Sequence, residues 1–253
     1  MFFKQSLMKL MAYKVNFLLV FITNLAYFVV QLIFLQVIFS QVNSLAGWTK
    51  YEMFFYMGTF NIIDALWAFG PYFNLVGIPG LIRSGMLDYY ITKPVNSQFM
   101  LSLRNVEIGS LVSVLGGVSI IGYALVKGNM VLTVGSTILY VITIFHALLV
   151  EYAVYFMLTC LSFWIIKADF VEKVHGILCY MSTRPVDIYK GATRFILCYI
   201  LPYGLIITIA SKSAIKVIDP LEYFVFLLLS WCFFGASILL WKLSIKRYTS
   251  ASS

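Results

Sequence analysis

The polar side chains most able to do chemistry are isolated within long apolar runs. Asp64 is the only charged residue between Glu52 and Arg83, and Asn61, three residues before it, shares its face of a helix. A carboxylate inside a membrane span is typical of substrate contact, cation binding or proton transfer. The alternative is a packing carboxylate, held by hydrogen bonds from Asn or Gln side chains of the preceding span.

Glu151 is the second such carboxylate and the only charged residue in the run 131–166. His146 lies five residues before it, which suggests a proton pathway, although a long span would also carry Glu151 close to the inner membrane surface. His146 and His175 form no HxxxH or HExxH motif, so we expect no metal site. The four cysteines form no CxxC pair and are expected to be buried or lipid-facing small hydrophobes.

The motif content gives no indication of an enzyme active site. The sequence has no GxSxG motif, no nucleophile close to a base, and no GxxxxGK[ST] loop to cradle nucleotide phosphates. We therefore expect that this chain binds no cofactor and catalyses no reaction of its own.

The elements that must position these residues are membrane helices. The 253 residues are 62% hydrophobic and 11% charged, whereas roughly 25% of the residues of a soluble domain are charged. Uncharged runs such as 15–41 exceed the roughly 20 residues that cross a bilayer. They are continuously apolar rather than alternating, which favours helices over β-barrel strands. The predicted fold class is an all-α polytopic membrane protein.

Hydropathy predicts six transmembrane helices in a single domain that covers residues 1–253. Span two should bend at Gly70–Pro71, because proline removes a helix hydrogen bond. The fifth span is ambiguous, since the apolar run 195–210 is short and contains Pro202. The other spans are predicted at 15–39, 53–76, 106–126, 131–166 and 221–241.

The distribution of the net charge of +8 indicates membrane topology. If both termini and the segments 77–105 and 167–194 lie on one side, 14 of the 18 Lys and Arg residues lie there too. This asymmetry places that side in the cytoplasm and gives no reason to expect a nucleic-acid partner. Residues 1–14 set three lysines among apolar side chains, which predicts an interfacial helix on membrane lipids rather than a cleaved signal.

A polar segment separates spans two and three. Residues 82–103 read IRSGMLDYYITKPVNSQFMLSL, with charged residues placed around the helix breakers Gly85 and Pro94. A structured, charged segment between two spans is typical of a contact in the cytoplasm. The alternative is an ordinary membrane-surface loop with interfacial tyrosines.

This segment resembles the I(R/K)xGxLDxxLxKPxN stretch between spans two and three of permeases of the type-2 ABC exporter class, in their six-span bacterial subfamily. RPVDIY at 184–189 resembles an RPxxIY motif of the same subfamily, and RYTSAS at 247–252 resembles its YxSxG ending, with alanine or serine replacing the glycine. The residues that fit the first stretch are Ile82, Arg83, Gly85, Leu87, Asp88, Lys93, Pro94 and Asn96.

The resemblance implies a coupling role for the cytoplasmic segment 77–105. A helix at 79–90, stopped by Pro94, would sit in a groove of a separate ATPase and transmit its closure to spans two and three. Arg83 and Asp88 would make charge-assisted bonds there, while Leu87 and Tyr89 would fill an apolar pocket. The implied ATPase-coupling residues are Arg83, Gly85, Leu87, Asp88, Tyr89, Lys93 and Pro94.

The resemblance also implies partners and a transport path. ATP and Mg would bind the ABC ATP-binding subunit, and a second permease, identical or not, would complete the path in the bacterial plasma membrane. For span five it offers another layout, near 170–183, followed by a re-entrant hairpin on the outer side, which we favour. The translocation path would use Asn24, Gln31, Asn61, Asp64 and Glu151.

Two other functions are compatible with the sequence. A membrane-embedded, lipid-modifying enzyme would need clustered catalytic side chains, whereas the candidate acids and histidines are scattered along the chain. A membrane assembly or sensor subunit would need no transport path at all. The sequence does not identify the cargo of a transporter.

Overall fold

A computed structural model describes residues 14–165 and 169–248 of the chain. The interfacial helix predicted at 1–14 lies outside this part, except for its last residue. The described residues form helices joined by short turns, together with one hairpin of two-residue strands. The prediction of an all-α fold is therefore confirmed.

The helices range from single turns to elements that are long enough to cross a membrane. From the N-terminus the elements are α1 (Lys14–Gln41), β1 (Ser44–Leu45), β2 (Trp48–Thr49), α2 (Lys50–Phe69), α3 (Tyr72–Val76), α4 (Ile78–Arg83), α5 (Asp88–Ile91) and α6 (Ser97–Ser102). Then follow α7 (Leu111–Lys127), α8 (Val134–Cys160), α9 (Asp169–Ser182), α10 (Gly191–Phe195), a π-helical turn (Ile196–Ile200), α11 (Tyr203–Ile215) and α12 (Pro220–Arg247).

Several of these elements are membrane spans by length and composition. Within the described residues, three stretches are long and apolar enough to cross alone, namely Ile108–Lys127, Val134–Phe163 and Pro220–Arg247. Two bent helix pairs raise the number to 5 if each pair is one span. The chain is thus a polytopic membrane protein, as its composition predicts.

The first bent pair confirms the bend predicted at Gly70–Pro71. Helix α2 and the helical stretch Tyr72–Arg83 meet at 51°. The bend forms here because Pro71 has no N–H to donate to the preceding turn. The chain leaves the axis of α2 and runs into the polar segment that follows it.

The side chain of Asn74 fastens this bend to the end of the polar segment. It is fully buried, and its Nδ2 lies 3.0 Å from the carbonyl oxygen of Ser102 and 2.8 Å from that of Asn105. Its Oδ1 accepts the N–H of Asn105 at 3.0 Å, and its Nδ2 is also 2.9 Å from the carbonyl of Gly70. Two stretches that are distant in sequence therefore meet at one amide group.

In the second bent pair, the beginning of the first arm and the end of the second arm lie close together. The helical stretch Gly191–Ile200 and α11 meet at 81°. Asp187 contacts both arms, since Arg194 near the start of the first lies 3.5 Å from its carboxylate and Lys212 near the end of the second lies 3.2 Å away. The run 195–210 is therefore not one straight helix, and α9 lies where the re-entrant layout places a helix.

Buried side chains form two cores at different levels of the bundle. The first joins α2, α8 and α11 around fully buried residues such as Phe55, Val150 and Ile209. The second joins the polar segment to α8 and α12, with Leu75, Leu101 and Trp241 among its members. The polar segment thus has its own packed base.

Helices α2 and α7 touch through glycines. A Cβ added to Gly117 would lie 2.8 Å from the carbonyl oxygen of Gly58, and a Cβ on Gly58 would lie equally close to the carbonyl oxygen of Gly117. Small residues let two membrane helices approach to backbone contact. By contrast, a Cβ on Gly122 of α7 meets no heavy atom within 4 Å.

We expect Gly117→Ala to destabilise the bundle and Gly122→Ala to leave it unchanged or slightly more stable. The first methyl group overpacks a backbone contact, a change that costs roughly 1–3 kcal/mol. The second fills open space and favours the helix. Thermal unfolding of the two variants in the same detergent checks the difference, and equal midpoints would contradict the close contact.

Candidate functional site

The polar segment after span two is folded differently from the single helix predicted at 79–90. Helix α4 ends at Arg83, a turn follows, and α5 begins at Asp88. The break occurs at Gly85, whose φ of 72° is a left-handed conformation that favours glycine. The prediction of one continuous helix is therefore wrong, and Gly85 has the role of a turn residue.

The turn at Gly85 divides the side chains of the segment into an inner and an outer set. Leu87 is fully buried in the second core, so the prediction that it fills a pocket of a partner is corrected. Tyr89 and Met86 are 61% and 62% exposed. The Lys93 ammonium lies 3.7 Å from the centre of the Tyr89 ring, a cation–π contact that orients this ring.

The remaining predicted residues of the segment lie at its surface or at its contact with the C-terminal end of the chain. Arg83 and Pro94 are exposed, and Asp88 is half-buried. Asp88 lies next to Tyr248. Burial, and after it the negative charge of the Asp88 carboxylate, raises the pKa of the Tyr248 hydroxyl. Asp88 of the first motif stretch and Tyr248, at the beginning of the RYTSAS stretch, therefore lie close together in space.

Helix α6 ties the polar segment to two long helices. The Gln98 amide donates to the hydroxyl of Tyr152 on α8 at 3.1 Å and to that of Ser237 on α12 at 3.3 Å. The Trp241 indole of α12 donates to the Ser97 hydroxyl at 3.1 Å. The polar segment is thus hydrogen-bonded to α8 and α12, as well as joined to the helices before and after it in sequence.

The polar residues expected along the translocation path have different surroundings. Gln31 and Asn61 are buried and bonded to each other, with 3.3 Å between the Asn61 amide nitrogen and the Gln31 oxygen. Gln31 therefore bonds to Asn61 and not to Asp64, the contact that the packing alternative for Asp64 requires. Asp64 itself is exposed on the surface of the chain. The side chain of Asn24 is outside the described part.

Glu151 belongs to a buried cluster that joins α8 to α9. Its carboxylate lies 3.5 Å from Nε2 of His175, and the Sγ of Cys179 lies 3.3 Å from the same nitrogen. The expected link between Glu151 and His146 is absent from this cluster, since His146 Nδ1 lies 2.6 Å from the Ser230 hydroxyl of α12. Cys179 is a polar contact here, which corrects its interpretation as a small hydrophobe.

Comparison with known protein families gives a match. A family model described as an ABC-2 family transporter protein matches residues 25–252. The chain belongs to the ABC-2 transporter family. No curated protein matches it significantly. The suspected type-2 ABC permease family is confirmed, and the chain is a permease subunit of an ABC transporter rather than its ATPase.

Two groups of residues in this ABC-2 permease were missed by sequence reasoning. Asn74 and Gln98 fasten the polar segment, but a single buried amide in a loop leaves no sequence pattern. His175 and Cys179 are four residues apart on α9, and this spacing was a usable signal, because residues i and i+4 of a helix share one face. Their partner Glu151 lies on another helix and becomes visible only in the fold.

Proposed function

We propose that this ABC-2 permease is part of an ATP-driven exporter and binds a separate ATPase through residues 79–96. The observation that carries the proposal is a firmly packed segment with large side chains directed outward. Leu87 anchors the segment in the second core, while Met86 and Tyr89 are exposed beside Arg83. Exposed tyrosine and arginine on a rigid base are typical of the residues that dominate protein–protein binding.

The proposed coupling works through the contacts of the segment. Closure of the ATPases on ATP and Mg would displace α4 and α5. Asn74 would transmit the displacement to the bend after α2, and Gln98 would transmit it to α8 and α12. Because these side chains are buried and hydrogen-bonded, the segment moves with the long helices as one body.

The proposed topology has six crossings, formed by α1, α2, α7, α8, α9 and α12. Both termini and the coupling segment lie in the cytoplasm, and α10 with α11 forms a re-entrant hairpin on the outer side. The two contacts of Asp187 support the hairpin. In this topology 11 of the 18 Lys and Arg residues lie inside, compared with 14 in the other topology, so the cytoplasmic side is still the more basic one.

Asp64 supports a second permease subunit. It is exposed on α2, in the last two turns of the helix before Phe69. A carboxylate directed at lipid is costly, so a polar partner or an aqueous path should cover it. Asp64 is therefore the best-supported residue of the translocation path, whereas Glu151 and the Gln31–Asn61 pair are enclosed within this chain.

Purification of the permease from its native membranes tests the proposal. We expect a Walker-motif ATPase to copurify with the wild-type chain in mild detergent. The double variant Met86→Ala, Tyr89→Ala should bind it about thirtyfold more weakly, because two anchor side chains that cost about 1 kcal/mol each together cost about 2 kcal/mol. Tyr199→Ala is the matched control, since Tyr199 is 52% exposed on the hairpin instead.

The proposal fails if the ATPase remains bound to the double variant, or if the wild-type chain carries no ATPase in detergent or nanodiscs. Retention of the ATPase on the double variant would show that the interface lies outside this segment. A chain that is always recovered alone would favour an assembly or sensor subunit. A lipid-modifying enzyme is the third outcome, and it would turn over lipid without any partner.

A further inference from the structure

Three side chains of the kind that ligate metals are enclosed where α8 meets α9. The ligand atoms of Glu151, His175 and Cys179 all lie within 4.8 Å of one another. We propose that this cluster binds one divalent transition-metal ion of the zinc class, at a site that does not depend on the proposed export activity.

The distances between the ligand atoms match those of a tetrahedral site. Bonds of about 2.0–2.1 Å to nitrogen or oxygen and about 2.3 Å to sulfur place such ligands about 3.3–3.6 Å apart. Here the separations are 3.5 Å from His175 Nε2 to Glu151 Oε1, 3.3 Å from His175 Nε2 to Cys179 Sγ, and 3.9 Å from Cys179 Sγ to Glu151 Oε1. Small side-chain adjustments are enough for all three to bind one ion.

The charges of the three ligands also suit a divalent ion. Metal binding requires a carboxylate, a thiolate and a neutral imidazole, so Glu151 and Cys179 give up their protons as the ion enters. The resulting two negative charges are neutralised by the two positive charges of the ion. Neutrality is important here, because Glu151 and His175 are only 4% and 7% exposed and an unpaired buried charge is unfavourable.

A small cavity beside the cluster has room for a fourth ligand. Asp64, Glu151, Cys179 and Tyr203 line one small cavity of about 10 Å³, close to the space that one water needs. Asp64 is also exposed at the surface of α2, so this cavity lies beside a residue that reaches the outside of the chain.

Buried hydroxyl groups next to the cluster are available to a metal-bound water. The rings of Tyr155 and Tyr203 lie 4.7 Å and 5.9 Å from the His175 ring, centre to centre. Among the described residues, neither buried hydroxyl has a hydrogen-bond partner. Since buried polar groups are normally bonded, a water on the ion would give Tyr203 the contact that it needs.

The mixture of ligand types selects the class of metal. Thiolate and imidazole disfavour Ca²⁺ and Mg²⁺, which prefer oxygen ligands. The carboxylate disfavours Cu⁺, which prefers soft sulfur ligands. A tetrahedral set of one nitrogen, one oxygen and one sulfur is best suited to Zn²⁺ or to Co²⁺, its spectroscopic substitute.

Titration of the tag-free, full-length chain with Co²⁺ in detergent tests the site. We expect one Co²⁺ per chain, visible d–d bands of tetrahedral cobalt, a near-ultraviolet thiolate-to-metal band, and displacement by Zn²⁺. Cys179→Ser should abolish the thiolate band, and His175→Gln and Glu151→Gln should each weaken binding about tenfold or more. Cys160→Ser and His146→Gln are the matched controls, because both residues are buried and lie outside the cluster.

The wild-type chain alone also gives a result, so a variant that fails to fold does not leave the site untested. A bound ion should raise the thermal midpoint of chelator-treated protein when Zn²⁺ is added, but not when Mg²⁺ is added. The proposal is wrong if wild-type protein shows no thiolate band, or if Cys160→Ser removes that band as completely as Cys179→Ser does.

Discussion

Replacement of Asn74, the residue that fastens the coupling segment to the bend before it, by leucine should produce a large loss of stability. The leucine is similar in size, but it removes the partner of the Asn105 N–H and of the carbonyl groups of Ser102 and Asn105. The Ser102 contact is buried and the two Asn105 contacts are partly buried, so the broken contacts leave polar atoms with little access to water. We expect a loss of roughly 3–4 kcal/mol in unfolding free energy.

Asn96→Leu in the same segment is the control for Asn74→Leu. The Asn96 side chain accepts the N–H of Phe99 at 3.1 Å and caps α6, but the residue is exposed. Loss of such a cap costs about 1 kcal/mol, because water replaces the lost partner. Unfolding curves in one detergent compare the two variants, and similar losses would mean that Asn74 is not the fastening residue.

The Asn74 substitution should also separate binding from coupling. If the ATPase binds through the outer side chains Met86 and Tyr89, Asn74→Leu should still copurify with it. Stimulation of ATP hydrolysis by the permease should nevertheless fall, since the bend after α2 is no longer held to α6. Retained binding together with full stimulation would show that force reaches the spans by another route.

The parts of the fold that were predictable from sequence depend on local properties of the chain. Long apolar runs indicate membrane helices, and a proline within such a run bends the helix, so α8, α12 and the bend at Gly70–Pro71 follow directly. In each case a few neighbouring residues contain all the necessary information.

The orientation of Leu87 was not predictable, because it depends on one backbone conformation. On a continuous helix over 79–90, Leu87 and Tyr89 point in different directions, and either could have been placed at the outer surface. The left-handed turn at Gly85 starts a new helical phase, and this phase directs Leu87 into the second core. A glycine permits such a turn but does not require it.

The metal-ligating cluster was unpredictable for a different reason. Its members lie on two helices, and the contact depends on the axial position at which α8 and α9 meet. A slip of one helical turn, about 5.4 Å, would separate Glu151 from His175 and Cys179. Helix periodicity determines the face of the helix that a residue occupies. Its axial position relative to a neighbouring helix is determined only by the packing between the two helices.

The hairpin of α10 and α11 leads to an all-or-none prediction for the topology of the chain. Lys190 lies just before α10 and Val217 just after α11, and both are exposed. In a re-entrant hairpin both residues are on the outer side. If 195–210 crossed the membrane instead, Lys190 would be in the cytoplasm and only Val217 would lie outside.

Single cysteines at these positions distinguish the two topologies in intact cells. We expect a membrane-impermeant maleimide to label Lys190→Cys and Val217→Cys, and to label Ser84→Cys only after the cells are broken, because Ser84 lies in the coupling segment. The unsubstituted chain gives the background from its four native cysteines. Protection of Lys190→Cys in intact cells would place this residue inside and Val217 outside. That result would rule out the re-entrant hairpin, which needs both of its ends, joined through Asp187, on the same side of the membrane.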